Sequence, residues 1–146
     1  MLKIIYILFF FFPLQNVFAN EYFLTLRNDK VNLRQGPSFE YPIKLFYNKK
    51  FLPVIIQDKF ENFRKIRDHE NNSGWIHISQ LSKKKAAIVI EDDAFIYSSN
   101  TIYSKPVALA KVGKLLIVKK CKDKWCKISS KEAKGWIKKT SLWGLL

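Results

Sequence analysis

The sequence contains few side chains that could act as a catalyst. Its thiols, Cys121 and Cys126, are separated by four residues, and its histidines are His69 and His77. A cysteine hydrolase needs a thiolate beside a histidine base, a zinc site needs several Cys or His ligands, and thiol oxidoreductases generally use a Cys-x-x-Cys spacing. None of these patterns is present, and the carboxylates occur in polar, loop-like stretches. We therefore expect no enzyme activity, no metal site and no cofactor.

Side chains suited to binding occur together near Arg34 instead. The planar guanidinium of Arg34 could hold a carboxylate through two hydrogen bonds, and Asn32, Phe39 and Tyr41 are its neighbours in sequence. Trp75 offers an aromatic face on which a sugar or peptide could stack. Arg34 and Trp75 each have a structural alternative, because Arg34 could pair with an acidic side chain of its own chain and Trp75 could lie in a core or at a barrel rim. These five residues are the candidate ligand-binding residues.

Two internal repeats organise the chain around these residues. Gly74-Trp75-Ile76 is followed by Leu81, and Gly135-Trp136-Ile137 is followed at the same distance by Leu142. Upstream, an aromatic-x-x-Ile segment at Phe63 corresponds to another at Trp125, and further segments match in the same order. Several matching segments in the same order, at a period of about 61 residues, indicate two copies of one structural unit.

Each repeat has the pattern of short strands separated by turns. Val54–Gln57 and Leu115–Val118 are aliphatic or β-branched runs of strand length. Polar connections follow at residues 58–62 and 122–124, and Asn71-Asn72-Ser73-Gly74 is a further turn signal. No window has a sustained helical period, so we expect an all-β protein built as a small sandwich or barrel.

The first repeat resembles the bacterial SH3-like (SH3b) family. The resemblance rests on Asn32-Leu33-Arg34-x-Gly36-Pro37-Ser38, on Tyr41-Pro42, and on Gly74-Trp75-Ile76 with Leu81. In the second repeat Tyr97-Ser98-Ser99 replaces the Arg-x-Gly-Pro element. The resemblance implies two tandem SH3-like β-barrels, residues 20–85 and 86–146. It also implies a targeting or binding module, typically for cell-wall peptide.

The first nineteen residues are typical of a cleavable signal peptide. Lys3 precedes an unbroken apolar run from Ile4 to Phe12, and Val17-Phe18-Ala19 fits a small-residue cleavage site. The run is short for a membrane-spanning helix, although an uncleaved anchor is the alternative. We expect cleavage near Ala19 and a periplasmic or secreted protein.

Export favours a disulfide between Cys121 and Cys126. An even number of cysteines in an exported protein indicates pairing. The repeat alignment matches the two cysteines to Lys59 and Arg64, on either side of one predicted hairpin turn. Residues facing each other across such a turn lie within reach of an S–S bond.

The basic composition provides a second functional hypothesis. The net charge is +14, and only four of the 26 basic residues are Arg. A lysine-rich surface could attach to an anionic membrane or wall polymer, although compositional bias also explains many lysines. Export and the scarcity of Arg argue against nucleic acid. The main hypothesis is therefore a non-catalytic exported module for cell-wall peptide or an envelope protein, and the alternative is electrostatic attachment.

Overall fold

A computed structural model describes residues 20–145. Residues 1–19, predicted to be a signal peptide, and residue 146 lie outside the described part of the chain. Within it the fold is all-β, with two three-residue 3-10 turns, Ile78–Gln80 and Lys139–Ser141, as its helical elements.

The first repeat forms one antiparallel sheet of seven strands. In spatial order these are β3-β2-β6-β5-β4-β1-β7. Their bounds are β1 Tyr22–Leu26, β2 Val31–Arg34, β3 Ile43–Tyr47, β4 Pro53–Phe60, β5 Phe63–Arg67, β6 Ser73–His77 and β7 Leu81–Ser82.

The second repeat forms a second sheet with the same connectivity. The spatial order is β10-β9-β13-β12-β11-β8-β14. Here the bounds are β8 Ala86–Val89, β9 Ala94–Tyr97, β10 Pro106–Ala110, β11 Leu115–Lys122, β12 Trp125–Ser129, β13 Lys134–Lys138 and β14 Leu142–Trp143. The all-β class and the tandem SH3-like plan are thereby confirmed.

The predicted closure of each sheet into a barrel is wrong. In the first sheet, β3 and β7 are edge strands that each pair on one side only. Strand β7 has just two residues before the chain leaves the sheet at Lys83, so it offers too short a ladder to close a ring. Strands β10 and β14 are the corresponding open edges of the second sheet.

The central hairpins are longer than the sequence predicts. Residues 58–60 were assigned to a connection but extend β4, and the turn is confined to Glu61 and Asn62. Asp123 and Lys124 form the corresponding turn between β11 and β12. Glu61 and Asp123 have φ of 45° and 52°, which lets the chain reverse in two residues. Polar side chains on these arms face solvent, so their polarity did not prevent strand pairing.

Each sheet buries alternate aliphatic residues in its own core. The first core includes Leu26, Val31, Leu33, Ile66 and Ile76. The second uses smaller side chains at several positions and includes Ala87, Ala94, Ile96, Ala110 and Ile137. Alternation along the strands leaves the opposite face of each sheet available to solvent and ligands.

Strand β8 joins the two repeats. All four of its residues are buried, which is expected when both faces of a strand are covered. Ala87 and Val89 belong to the second core, whereas Ile88 belongs to the first, with Leu115 packed beside it. The repeats therefore share apolar packing.

The C-terminal segment strengthens this contact. The Trp143 ring packs edge-on against Phe23, with centroids 5.0 Å apart, and lies 6.0 Å from the His69 ring. Gly144 follows with φ of 122° and approaches Pro53 of the first repeat. Residues at the end of the second repeat are thus docked on the first.

Cys121 and Cys126 form a disulfide across the β11–β12 hairpin. They are direct register partners, and so are Lys59 and Arg64 in the first repeat. The equivalence inferred from the repeat alignment holds in the strand register. The pair is therefore engaged in a covalent cross-link and is not a free thiol.

Candidate functional site

Arg34 organises the loop that follows β2. Its Nη1 donates to the carbonyl oxygens of Phe39 at 3.1 Å and Tyr41 at 2.8 Å. The guanidinium carbon also lies 5.4 Å from the centroid of the Phe39 ring, in a cation–π arrangement. These contacts fix residues 35–42 against the sheet. Because they use Nη1, the Nε and Nη2 donors of the same fork are left for a ligand.

The Tyr41 ring covers Gly36 in the same loop. A Cβ on Gly36 would lie 2.5 Å from ring carbons of Tyr41, so the ring packs on the glycine backbone. The loop is closed by a hydrogen bond of 3.0 Å from the Gln35 N–H to the Pro42 carbonyl. Tyr41 is half exposed, so the outer part of its ring is accessible. A glycine at position 36 is needed for this close approach.

An aromatic cluster adjoins Arg34. The ring of Phe39 lies 5.2 Å from Phe63 and 5.1 Å from His77, and the last two are 5.1 Å apart. Phe63 is buried under the cluster, whereas Phe39 is 63% exposed. His77 Nδ1 accepts a hydrogen bond from the Ser79 N–H, which anchors the imidazole to the start of the 3-10 turn. The result is an apolar surface beside a cation.

Trp75 lies on the outer face of the sheet, outside the core. Its neighbours Gly74 and Ile76 point inward and are buried, whereas Trp75 is partly exposed. Its register partners are Arg34 on β2 and Lys65 on β5. Of the structural alternatives, the core position does not hold, because the strand's alternation assigns Trp75 to the same face as Arg34.

Asn32 is the most peripheral of the predicted residues. It lies two residues before Arg34 on the same face, between the inward-facing Val31 and Leu33. Its backbone N–H donates to Gln80 Oε1 at 3.3 Å. The structure thus brings Arg34, Phe39 and Tyr41 into contact, places Trp75 beside them across the sheet, and leaves Asn32 at the end of the face.

Phe63 and His77 are members of this cluster that the sequence reasoning missed. His77 follows Trp75 by two residues in an alternating strand, so it faces the same way. Phe63 is the direct partner of His77 on β5. The signal was available in the alternation of β6, but it required the register between β5 and β6. We call Asn32, Arg34, Phe39, Tyr41, Phe63, Trp75 and His77 together the Arg34 face.

The equivalent face of the second repeat has different chemistry. Tyr97 occupies the position of Arg34, and its ring packs edge-on against Trp125 at 5.5 Å. Trp136 keeps the position of Trp75 and is the register partner of Tyr97. Lys138 stands where the first repeat has His77, and Lys120 lies 5.8 Å over the Trp136 ring. No guanidinium is present on this face, because the second repeat contains no arginine.

Asp68, the most buried carboxylate, stabilises the fold and is not part of the candidate site. Asp68 is 1% exposed and accepts hydrogen bonds from the Tyr47 hydroxyl, from the Asn72 side chain and from the backbone N–H groups of Glu70 and Asn72. Burial, followed by the hydrogen bond to Asp68, raises the pKa of Tyr47 well above its usual value near 10. This network fixes the turn between β5 and β6.

Within residues 20–145 no group of three or more His, Cys, Asp or Glu side chains is arranged to hold a metal ion. Over the same residues no helix is long and apolar enough to span a membrane.

The all-β chain with two matched sheets has the fold of two tandem SH3-like domains. The profile of the bacterial SH3 domain matches residues 27–83 and 92–144. Two separate matches cover most of the chain. The protein therefore belongs to the bacterial SH3 domain family, whose members are commonly cell-wall binding modules.

Among solved structures, the chain is similar to NlpC2 and NlpC1 from Trichomonas vaginalis. Identity is 15% and 16%, the TM-score is 0.38 for both, and 84% and 86% of this chain is covered. The match spans 48% and 46% of those chains, so this chain spans about half of their length. No curated protein matches the sequence.

Proposed function

We propose that this protein is a non-catalytic, exported binding module that recognises a carboxylate-bearing peptide of the cell wall or of an envelope protein. The observation that carries the proposal is the Arg34 face. There a partly engaged guanidinium lies beside the exposed Phe39 ring. Family membership supports a binding role, and the N-terminal sequence supports export to the periplasm or beyond.

The Arg34 face suits a peptide that carries both charge and apolar surface. A guanidinium with free Nε and Nη2 donors can bind a carboxylate through two parallel hydrogen bonds. Apolar contact is available close to that cation. The Phe39 ring lies 5.4 Å from the guanidinium carbon, and the Phe63 and His77 rings lie 5.2 Å and 5.1 Å from the Phe39 ring. A peptide carboxylate bound at Arg34 would therefore place its neighbouring side chain on Phe39.

Retention on purified cell-wall sacculi tests this proposal. The chain from residue 20 onward, which contains the fourteen strands of residues 20–145, is applied at low and high salt. We expect retention that persists at high salt, because a bidentate contact with aromatic packing is screened less than surface charge. Absence of retention, together with failure to capture any envelope protein, would remove the proposal.

A matched pair of variants assigns the contact to the first repeat. Phe39→Ala removes a ring that is 63% exposed, so the fold should tolerate it while retention falls by about tenfold. Phe95→Ala removes a ring that is 52% exposed on the second sheet and should leave retention unchanged. Equal losses in both variants would contradict the assignment to the Arg34 face.

Electrostatic attachment is the second candidate function. Removing residues 1–19 takes away only Lys3, so the net charge falls from +14 to about +13. Attachment of this kind to an anionic membrane or wall polymer would be lost as salt shortens the screening length. Retention at low salt alone, without dependence on Phe39, would favour this function over the first.

A further inference from the structure

The two repeats enclose a cleft that shares no residue with the Arg34 face. Its volume is about 520 Å³. One wall is formed by Tyr22–Thr25 of β1, and the other includes Ala86 of β8 and Val118 of β11. The connection Lys83–Lys85 runs along it, and Gly144 and Leu145 contribute from the C-terminal end. The cleft exists because the repeats are packed together.

Hydrogen bonds hold the backbone of this connection in place. Thr25 Oγ1 donates to the carbonyl oxygens of Lys84 at 2.8 Å and Ser82 at 3.3 Å. The Val118 N–H donates to the Lys85 carbonyl at 3.0 Å. The peptide groups are therefore anchored to both sheets, whereas the side chains of Lys83, Lys84 and Lys85 are exposed. Three cations are presented from a fixed backbone.

The lining combines cationic and apolar groups. Lys83, Lys84, Lys85, Lys120 and Lys139 line the cleft, and none of the lining residues is acidic. The Lys120 ammonium lies over the Trp136 ring, so its stem contributes chiefly apolar surface. Tyr22, which is 44% exposed, and the partly exposed Leu24 and Leu145 add apolar surface, whereas Ala86 and Val118 are buried beneath it. An occupant that matches this lining carries a negative charge at one end and hydrocarbon at the other.

We propose that the inter-repeat cleft binds a single-chain anionic amphiphile, with its phosphate or carboxylate head at Lys83–Lys85 and its alkyl chain on Tyr22, Leu24 and Leu145. The ammonium groups of lysine bind such heads as point charges. The alkyl chain gains free energy by leaving water for the aliphatic lining. A single myristoyl chain binds a membrane reversibly with a dissociation constant on the order of 0.1 mM, and we expect the cleft to bind a dodecyl chain no more tightly than this through its alkyl contacts.

Amide NMR with dodecyl phosphate as the probe tests the proposal. The chain from residue 20 onward is titrated below the micelle concentration of the probe. We expect saturable shifts at the amides of Thr25, Ala86 and Val118. Inorganic phosphate at equal concentration should cause no such shifts, because it lacks the alkyl chain. Absence of the shifts with dodecyl phosphate, or equal shifts with neutral dodecyl maltoside, would overturn the proposal.

Two double variants with the same change in net charge distinguish binding in the cleft from an effect of the overall positive charge. Lys83→Gln/Lys85→Gln should weaken dodecyl phosphate binding by about five- to tenfold, as expected for two lost ionic contacts. Lys105→Gln/Lys131→Gln removes the same charge from exposed positions outside the cleft and should leave affinity within about twofold. Equal weakening in both variants would refute a specific cleft.

Two further arms identify the source of the amphiphile and keep this proposal separate from the proposed function. If dodecyl phosphate binds, additional binding to anionic phospholipid vesicles that is lost in Lys83→Gln/Lys85→Gln would identify membrane lipid as the source, whereas binding of dodecyl phosphate without binding to vesicles would identify a free amphiphile. Both results support the cleft. Phe39→Ala should bind dodecyl phosphate with the affinity of the parent, because Phe39 does not line the cleft. The cleft proposal can therefore hold even if the wall-binding proposal fails. Vesicle binding without binding of dodecyl phosphate would overturn the cleft proposal, because surface charge alone would then account for the vesicle binding.

Discussion

Replacing Gly144 by alanine should separate the second repeat from the first. Gly144 has φ of 122°, a backbone conformation that side chains rarely adopt. A Cβ there would lie 2.8 Å from the Cβ and Cγ atoms of Pro53 and 2.9 Å from the Ala86 carbonyl oxygen. These neighbours belong to a rigid ring and to backbone, so they cannot move away cheaply. The substitution therefore strains the backbone and pushes the docked C-terminal segment outward.

The expected cost has two parts. The positive φ costs about 1–3 kcal/mol for a residue other than glycine. Overpacking against Pro53 and Ala86 adds about 1–3 kcal/mol. The free energy of unfolding should therefore fall by about 2–6 kcal/mol. Such a loss is large beside the ~5–15 kcal/mol that stabilises a typical domain.

Gly113 provides the matched control. Its φ is 79°, yet a Cβ there would meet no atom within 4 Å. Gly113→Ala should therefore cost only the backbone strain of about 1–2 kcal/mol. Urea unfolding followed by tryptophan fluorescence measures both variants. Since Trp143 is adjacent to Gly144 and packs on Phe23, Gly144→Ala should also change the fluorescence of the folded protein.

The difference in unfolding free energy between Gly144→Ala and Gly113→Ala tests the contact between Gly144 and the first repeat. A cost for Gly144→Ala within about 0.5 kcal/mol of the cost for Gly113→Ala would mean that no close contact exists between Gly144 and the first repeat. Two separate unfolding transitions in Gly144→Ala, against one in the parent, would support the docking because each repeat would then unfold by itself.

Three further predictions address the disulfide, the buried tyrosine and the exposed tryptophan. Cys121→Ser should lower the oxidised protein's stability by about 2 kcal/mol, the chain-entropy value for so small a loop, and a melting temperature equal to the parent's would contradict this. Tyr47→Phe should cost about 1 kcal/mol at pH 8 through the lost hydrogen bond to Asp68. Because the pKa of Tyr47 is raised in the folded state, the parent loses stability above about pH 10, where the unfolded chain releases its proton. The advantage of the parent over Tyr47→Phe should therefore shrink by about 1.4 kcal/mol per pH unit there, and a constant difference in urea unfolding would refute the assignment. Trp75→Ala should remain folded but lose retention on sacculi, since Trp75 lies outside the core, and an unfolded first repeat in circular dichroism would contradict its placement.

The fold class was readable from the sequence because it depends on local patterns. Runs such as Val54–Gln57, turn residues such as those before Gly74, and the repeated Gly-Trp-Ile segments are each contained within a few neighbouring residues. The register partnership of Cys121 and Cys126 also followed from the repeat alignment, because both sheets use the same hairpin. The prediction of a connection at residues 58–60 was wrong, because the exposed end of a strand can be as polar as a loop.

The candidate site was only partly readable. Arg34, Phe39 and Tyr41 are close in sequence, so their association in one loop could be predicted from their spacing. The addition of Phe63 and His77 depends on the pairing of β5 with β6 and on the loop folding back over both strands. For Trp75 the sequence left a binding role and a structural role open, because a large aromatic next to Ile76 also suggests burial; the alternation of β6 places its side chain on the outer face of the sheet.

The sequence by itself determined the all-β repeats, their turns, the disulfide register and the strongly basic charge, since these properties arise within a strand, a hairpin or the composition. Only the tertiary structure decided that the sheets remain open, that Ile88 of the second repeat enters the first core, and that Lys83–Lys85 border a cleft. Those features depend on the packing of surfaces about sixty residues apart. Shape complementarity between such distant surfaces leaves no periodic signature along the chain.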